Sequence, residues 1–129
     1  MYTILIVDDE RPAQTFLKAI CQKYCPAFDT ILLSGSADDA LRLMAQQHVH
    51  VLVTDISMPG INGIELAQRV RQLYPRTHTV IVSGYAEFEF ARGAIQAGVD
   101  DYLLKPVEIQ SFRQILDRIR ETLDAEANN

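Results

Sequence analysis

Short, unbroken apolar runs alternate along this chain with longer stretches in which apolar residues return every three or four positions. The runs lie at Thr3–Val7, Thr30–Leu33, Val51–Thr54, Thr79–Val82 and Tyr102–Leu104. A strand wetted on one face reads apolar–polar, whereas a strand covered on both faces reads apolar throughout, as these do. They therefore predict the buried strands of a parallel sheet. Between and after them the helical period predicts helices near Ala13–Tyr24, Ala37–Gln47, Ile64–Leu73, Phe88–Gln96 and Ile109–Leu123. In the last of these, Phe112, Ile115, Leu116, Ile119 and Leu123 form a single apolar stripe. Ser36 stands at an N-cap position, with Asp38 and Asp39 in the first turn where the helix dipole favours acid. Pro75 closes the third helix and Gly98 marks the end of the fourth.

Five strand–helix units in one short chain imply right-handed crossovers and helices on both faces of a single sheet. The strand order is then either 2-1-3-4-5, as in flavodoxin-like folds, or that of a Rossmann half-unit. Five strands with five helices favour the first, an α/β doubly wound (βα)5 architecture.

Composition narrows the function classes. At 129 residues with 48% hydrophobic content the chain suits one domain, expected over 1–123 with a polar tail or linker stub at 124–129. The apolar runs are too short to span a bilayer, and the start MYTILIVDDE lacks the basic, long-apolar form of a signal peptide, so the expected location is cytoplasmic. Net charge is −5 and the basic residues are scattered, which argues against nucleic-acid binding by this segment alone. Cys21 and Cys25 lie four apart, and His48, His50 and His78 offer no paired-ligand spacing, so two reduced thiols on a helix face are expected rather than a zinc site.

Ligands of open parallel sheets sit outside the C-terminal strand ends. The first strand delivers Asp8-Asp9-Glu10 there, the third Asp55, the fourth Ser83-Gly84 and the fifth Lys105-Pro106. Singly, each has a structural explanation: a turn, a helix cap, a solvated lysine. Together they do not, because clustered carboxylates repel unless a cation compensates. Asp8, Asp9 and Asp55 are hard oxygen donors suited to Mg²⁺. Phosphoryl transfer needs an in-line nucleophile and positive charge on the equatorial oxygens. Asp55 can be that nucleophile, with Lys105 and Mg²⁺ on the oxygens and a hydrogen bond from Ser83.

The segments ILIVDDE, VTDISMPGINGIEL, IVSGY and AGVDDYLLKPV resemble the receiver domain of two-component response regulators, in order and spacing from about Ile4 to Leu123. The resemblance implies a flavodoxin-like fold, phosphorylation by a sensor histidine kinase and Mg²⁺ dependence. It aligns Asp55 with the phosphoacceptor, Asp8 and Asp9 with the acidic metal pair, and Ser57 with the residue whose backbone carbonyl contacts the metal. It aligns Ser83 with the switch hydroxyl, Tyr102 with the switch aromatic and Lys105 with the site lysine, whose bond to Pro106 is often cis. It also implies a homodimer through the fourth helix, fifth strand and fifth helix. The stretch SGYAEFEFARGAIQAGVDDYLLKP is similar to receivers joined to AraC-type helix-turn-helix domains, so DNA would be bound only by a C-terminal domain absent here. Ser57 and Tyr85, flanking the approach to Asp55, lead to an expectation of slow hydrolysis. An aspartyl-phosphate hydrolase would carry a second acid where Ser57 stands. A flavin- or nucleotide-binding module would want a glycine- and hydroxyl-rich loop where DDERPAQ stands.

Overall fold

All five apolar runs pair as parallel strands, so that each central strand hydrogen-bonds on both edges and is covered on both faces. In the computed structural model, which describes residues 1–84, 92 and 98–128, the elements are β1 (Thr3–Val7), α1 (Arg11–Tyr24), β2 (Thr30–Ser34), α2 (Ala37–Gln46), β3 (Val51–Asp55), α3 (Gly63–Leu73), β4 (His78–Ser83), β5 (Asp101–Leu104) and α4 (Ile109–Ala127). The sheet order is β2-β1-β3-β4-β5, as expected. The helix expected over Phe88–Gln96, Arg92 apart, lies outside the described residues.

Two apolar layers explain the unbroken runs. Ile4, Ile6, Val53, Val80 and Val82 face α1 and α4, meeting Leu17, Ile20, Phe112, Leu116 and Ile119. Their neighbours Leu5, Val7 and Leu52 point the other way, onto Ala40, Met44, Leu66 and Val70 of α2 and α3. Each such side chain taken fully out of water contributes about 1.5–3 kcal/mol. Cys21 and Cys25 are free and buried in the first layer, where burial, then the neighbouring Cys25, pushes the Cys21 thiol up to about 12.

Element ends differ from expectation where local pattern is silent. Helix α1 begins at Arg11 rather than Ala13, with Pro12 in its first turn, where a missing N–H is harmless. Ser36 caps α2 by accepting the Asp39 N–H at 3.1 Å, as expected. Helix α4 runs past Leu123 to Ala127, so most of the segment expected as a polar tail is helical. Its apolar stripe stops at Leu123, but the Tyr2 hydroxyl donates to Asp124, and Arg120 Nη1 reaches the same carboxylate at 2.9 Å.

The last turn of α4 is also tied to the sheet. His78 Nδ1 lies 3.0 Å from Asp100, and Nε2 lies 3.1 Å from Glu126. The Asp100 hydrogen bond does most to raise His78 above its ordinary value of 6.5; burial opposes, and the Asp100 and Glu126 charges add to the rise. A raised histidine stabilises the fold fully below its unfolded pKa and loses that contribution as pH rises through the folded value. The stability difference between the parent and His78→Gln should therefore shrink between about pH 5.5 and about pH 8.5. Its size is of order 0.5 kcal/mol because both carboxylates are partly exposed. Urea unfolding at the two pH values measures it, and a constant difference would count against the charged bridge.

Candidate functional site

Parallel strands all end at the same rim, so the last residues of β1, β3, β4 and β5 are brought together whatever their separation in sequence. Asp55 closes β3 beside Val82, Ser83 closes β4 beside Leu104, and Asp8 and Lys105 follow directly on β1 and β5. The rim is stitched by backbone bonds from Asp8 N–H to Ser34 O at 3.0 Å and from Lys105 N–H to Ser83 O at 2.7 Å.

Lys105 Nζ lies 3.2 Å from Asp8 Oδ2 and 3.2 Å from Asp55 Oδ2, so one ammonium bridges two buried carboxylates. The other oxygen of each is held by a backbone amide at 2.9 Å, Glu10 N–H on Asp8 Oδ1 and Ile56 N–H on Asp55 Oδ1. Burial pushes the Asp55 carboxyl above its ordinary value; Lys105 pulls against this and Asp8 adds to it. Burial pulls the Lys105 ammonium down, but Asp55 and Asp8 outweigh it and leave the lysine raised. Positive charge is thus over-stabilised at this point and the buried Asp55 carboxylate is under-compensated. Asp9 and Glu10 are exposed, and oxygens of Asp8, Asp9 and Glu10 lie within 4.8 Å of one another. Asp8 and Asp55 with Lys105 leave one uncompensated negative charge, and the exposed Asp9 and Glu10 carboxylates beside Asp8 add two more, an excess that a divalent cation reduces. Oxygen donors of this kind suit Mg²⁺.

Ser83 is wholly buried, and its Oγ finds no hydrogen-bond partner among the described residues. Such a hydroxyl costs about 1–3 kcal/mol, so the rim contains a donor awaiting an acceptor. Ser57 is exposed on the loop after Asp55. Tyr102 lies on β5, half-buried against Ile56, Ala67 and Ile81, and so contacts the cluster that begins one residue past Asp55. The Lys105–Pro106 bond is cis. Tyr85, expected to border the approach to Asp55, lies outside the described residues.

One residue that holds this geometry escapes the sequence expectations. Gly63, not Ile64, opens α3, and its N–H donates to Ile56 O at 3.0 Å. A Cβ on Gly63 would fall well inside contact distance of the Asp55 carbonyl oxygen and 2.8 Å from its carbonyl carbon. Asn62 caps the helix, accepting the Ile64 and Glu65 N–H groups at 2.9 Å each. The Asn62…Glu65 spacing resembles a capping box and was the available signal for this start.

The family model for the response regulator receiver domain matches residues 4–117. The transcriptional regulatory protein HptR of Staphylococcus aureus is 37% identical over 95% of this chain and 48% of its own length. The uncharacterized transcriptional regulatory protein YesN of Bacillus subtilis is 33% identical over 92% of this chain and 32% of its own length. The chain thus spans from about a third to about half of the length of these curated relatives. Among solved structures, the receiver domain of AraT, a response regulator from Geobacillus stearothermophilus, superimposes with a TM-score of 0.87 at 31% identity, covering 98% of each chain. A two-component transcriptional regulator AraC from Clostridium phytofermentans gives 0.87 at 28% identity, covering 100% of both.

Proposed function

The chain belongs to the family of response regulator receiver domains of two-component systems, and from that premise we propose that it accepts a phosphoryl group on Asp55 from a sensor histidine kinase. The observation that carries this is the Lys105 ammonium held at 3.2 Å from both Asp8 and Asp55. A lysine so charged and so placed is ready to follow negative charge as it develops on a transferring phosphoryl group.

A carboxylate oxygen of Asp55 attacks the phosphorus of a phosphohistidine. The phosphorus–nitrogen bond breaks, its electrons return to the imidazole, and an acyl phosphate forms on Asp55. Lys105 exchanges its Asp55 carboxylate contact for a phosphoryl oxygen, and the Ser83 hydroxyl, which has no partner among the described residues, donates to another. Asp8, Asp9, Asp55 and the Ser57 carbonyl would hold Mg²⁺, which when bound neutralises the phosphoryl oxygens. The Glu10 and Ile56 amides keep the Asp8 and Asp55 carboxylates aimed while this happens.

The phosphorylated state acts by population shift, worth only what the phosphoryl group gains in one arrangement over the other. Movement of Ser83 toward the phosphoryl group makes room for Tyr102 to turn inward. The surface altered is the expected fourth helix with β5 and α4, through which the domain dimerises. Transcription is the output, exerted by a DNA-binding domain outside this segment, in the cytoplasm. Among the described residues no helix is long and apolar enough to cross a membrane.

Incubation with phosphoramidate and Mg²⁺ should add the mass of one phosphoryl group, removable by hydroxylamine. Beryllofluoride should shift backbone amide signals at Ser83 and Tyr102 as well as around Asp55. Shifts confined to the Asp55 loop would refute the switch, and no adduct with any small phosphodonor would refute the acceptor.

A further inference from the structure

We propose that Gln14 is a positioning residue for the Asp8–Asp9 pair, its side-chain amide clamping the Asp8 and Ser34 carbonyls and so fixing the turn that presents both carboxylates to Mg²⁺. This rests on the metal-dependent phosphoacceptor function proposed above and deepens it.

Gln14 lies one turn into α1, and its Nε2 donates to Asp8 O at 2.6 Å and to Ser34 O at 3.0 Å. Both N–H bonds of a single amide nitrogen are thereby used. β1 and β2 finish their ladder at Val7 and Ser34, so strand pairing no longer supplies a donor for the Asp8 carbonyl. A half-buried carbonyl at a sheet end needs one. The Ser34 carbonyl already accepts the Asp8 N–H at 3.0 Å, so Gln14 closes a node that fixes Asp8 through both of its peptide groups. The Glu10 N–H fixes its carboxylate from the other side at 2.9 Å.

Asp9 makes the clamp consequential. Its carboxylate is exposed, and no side-chain hydrogen bond among the described residues holds it. The direction in which its Cα–Cβ bond leaves the backbone depends on the plane of the Asp8–Asp9 peptide, whose carbonyl is the one Gln14 grips. Few side chains can do this. Methionine has the length but no donor, and asparagine has the amide but one methylene less reach. Glutamate would set another carboxylate against two carbonyl oxygens and the acidic pair.

Mg²⁺ demands near-ideal octahedral placement of its ligands, whereas Ca²⁺ accepts flexible ones. A loosened turn should therefore weaken Mg²⁺ more than Ca²⁺, while general damage to the fold would weaken both alike. The test is calorimetric titration of the parent, Gln14→Met and Gln14→Asn with each ion, with folding checked by circular dichroism. Mg²⁺ binding should weaken about tenfold in Gln14→Met, as for other residues that orient metal ligands, with Ca²⁺ binding changed less. Gln14→Asn should behave similarly and serves if the methionine variant does not fold. Unchanged Mg²⁺ affinity in a folded variant, or equal loss for both ions, would overturn the clamp. Failure of the parent itself to bind Mg²⁺ would overturn the metal-dependent function, and the clamp with it.

Discussion

Asp55→Asn should take up no phosphoryl group from phosphoramidate or from a histidine kinase, a loss of at least about 100-fold in rate, and should melt at a higher temperature than the parent in metal-free buffer. The first outcome follows because an amide oxygen is a poor nucleophile toward phosphorus and the acyl phosphate cannot form on it. The second follows from the electrostatics of the rim. Burial raises the Asp55 carboxyl despite Lys105 and with the help of Asp8, so the ionised form is disfavoured in the folded state. A carboxyl raised by folding contributes stability below its unfolded value, ordinarily 3.8, and loses it as pH rises through the folded value. Asparagine does not titrate. The variant's advantage should be full at neutral pH and should close as pH falls below the ordinary carboxylate range. Lys105 is not stranded by the change, because Asp8 remains 3.2 Å away. Intact-mass spectrometry and thermal melts at neutral and acidic pH measure both. An adduct of parental yield would sink the assignment of Asp55, and a lower melting temperature would mean that the Lys105 pair outweighs the cost of burial.

Gly63→Ala should be among the most damaging single-methyl additions in the chain. The new Cβ would overlap the Asp55 carbonyl group, whose oxygen also accepts the Thr54 hydroxyl at 2.9 Å in a buried setting. The obstacle is backbone rather than a movable side-chain end, so either α3 shifts outward or β3 bends at its last residue. Overpacking of a well-filled site costs about 1–3 kcal/mol, and a clash with fixed backbone belongs at the upper end. In a domain of this size that corresponds to a fall in melting temperature on the order of 10 °C. The movement passes directly to Asp55, so Mg²⁺-dependent phosphorylation should fall even in the fraction that stays folded. Ser57→Ala, on the same loop and exposed, should leave the melting temperature nearly unchanged. A Gly63→Ala protein as stable and as readily phosphorylated as the parent would mean that α3 can retreat without disturbing the end of β3.

The strands, four of the helices and the rim positions of Asp8, Asp55, Ser83 and Lys105 were legible because each rests on short-range pattern. An apolar run without alternation states that both faces are covered, and a parallel sheet must then end all its strands at one edge. The cap at Ser36 is equally local. The same reliance on pattern explains the misjudged ends. The apolar stripe of α4 stops at Leu123, and its continuation to Ala127 is supported by the bonds of Tyr2 and Arg120 to Asp124 and of His78 to Glu126.

Sequence alone thus determined which residue types meet at the rim; how they are charged and held was decided by tertiary structure. Lys105 and Asp8 lie 97 positions apart, and nothing near either residue encodes that one ammonium will bridge two carboxylates. The buried Ser83 hydroxyl at the strand rim, the Gln14 amide between two carbonyls and the intolerance of Gly63 for a methyl group have the same origin. Each depends on a distance between backbones brought together by packing, and such distances leave no periodicity in the chain.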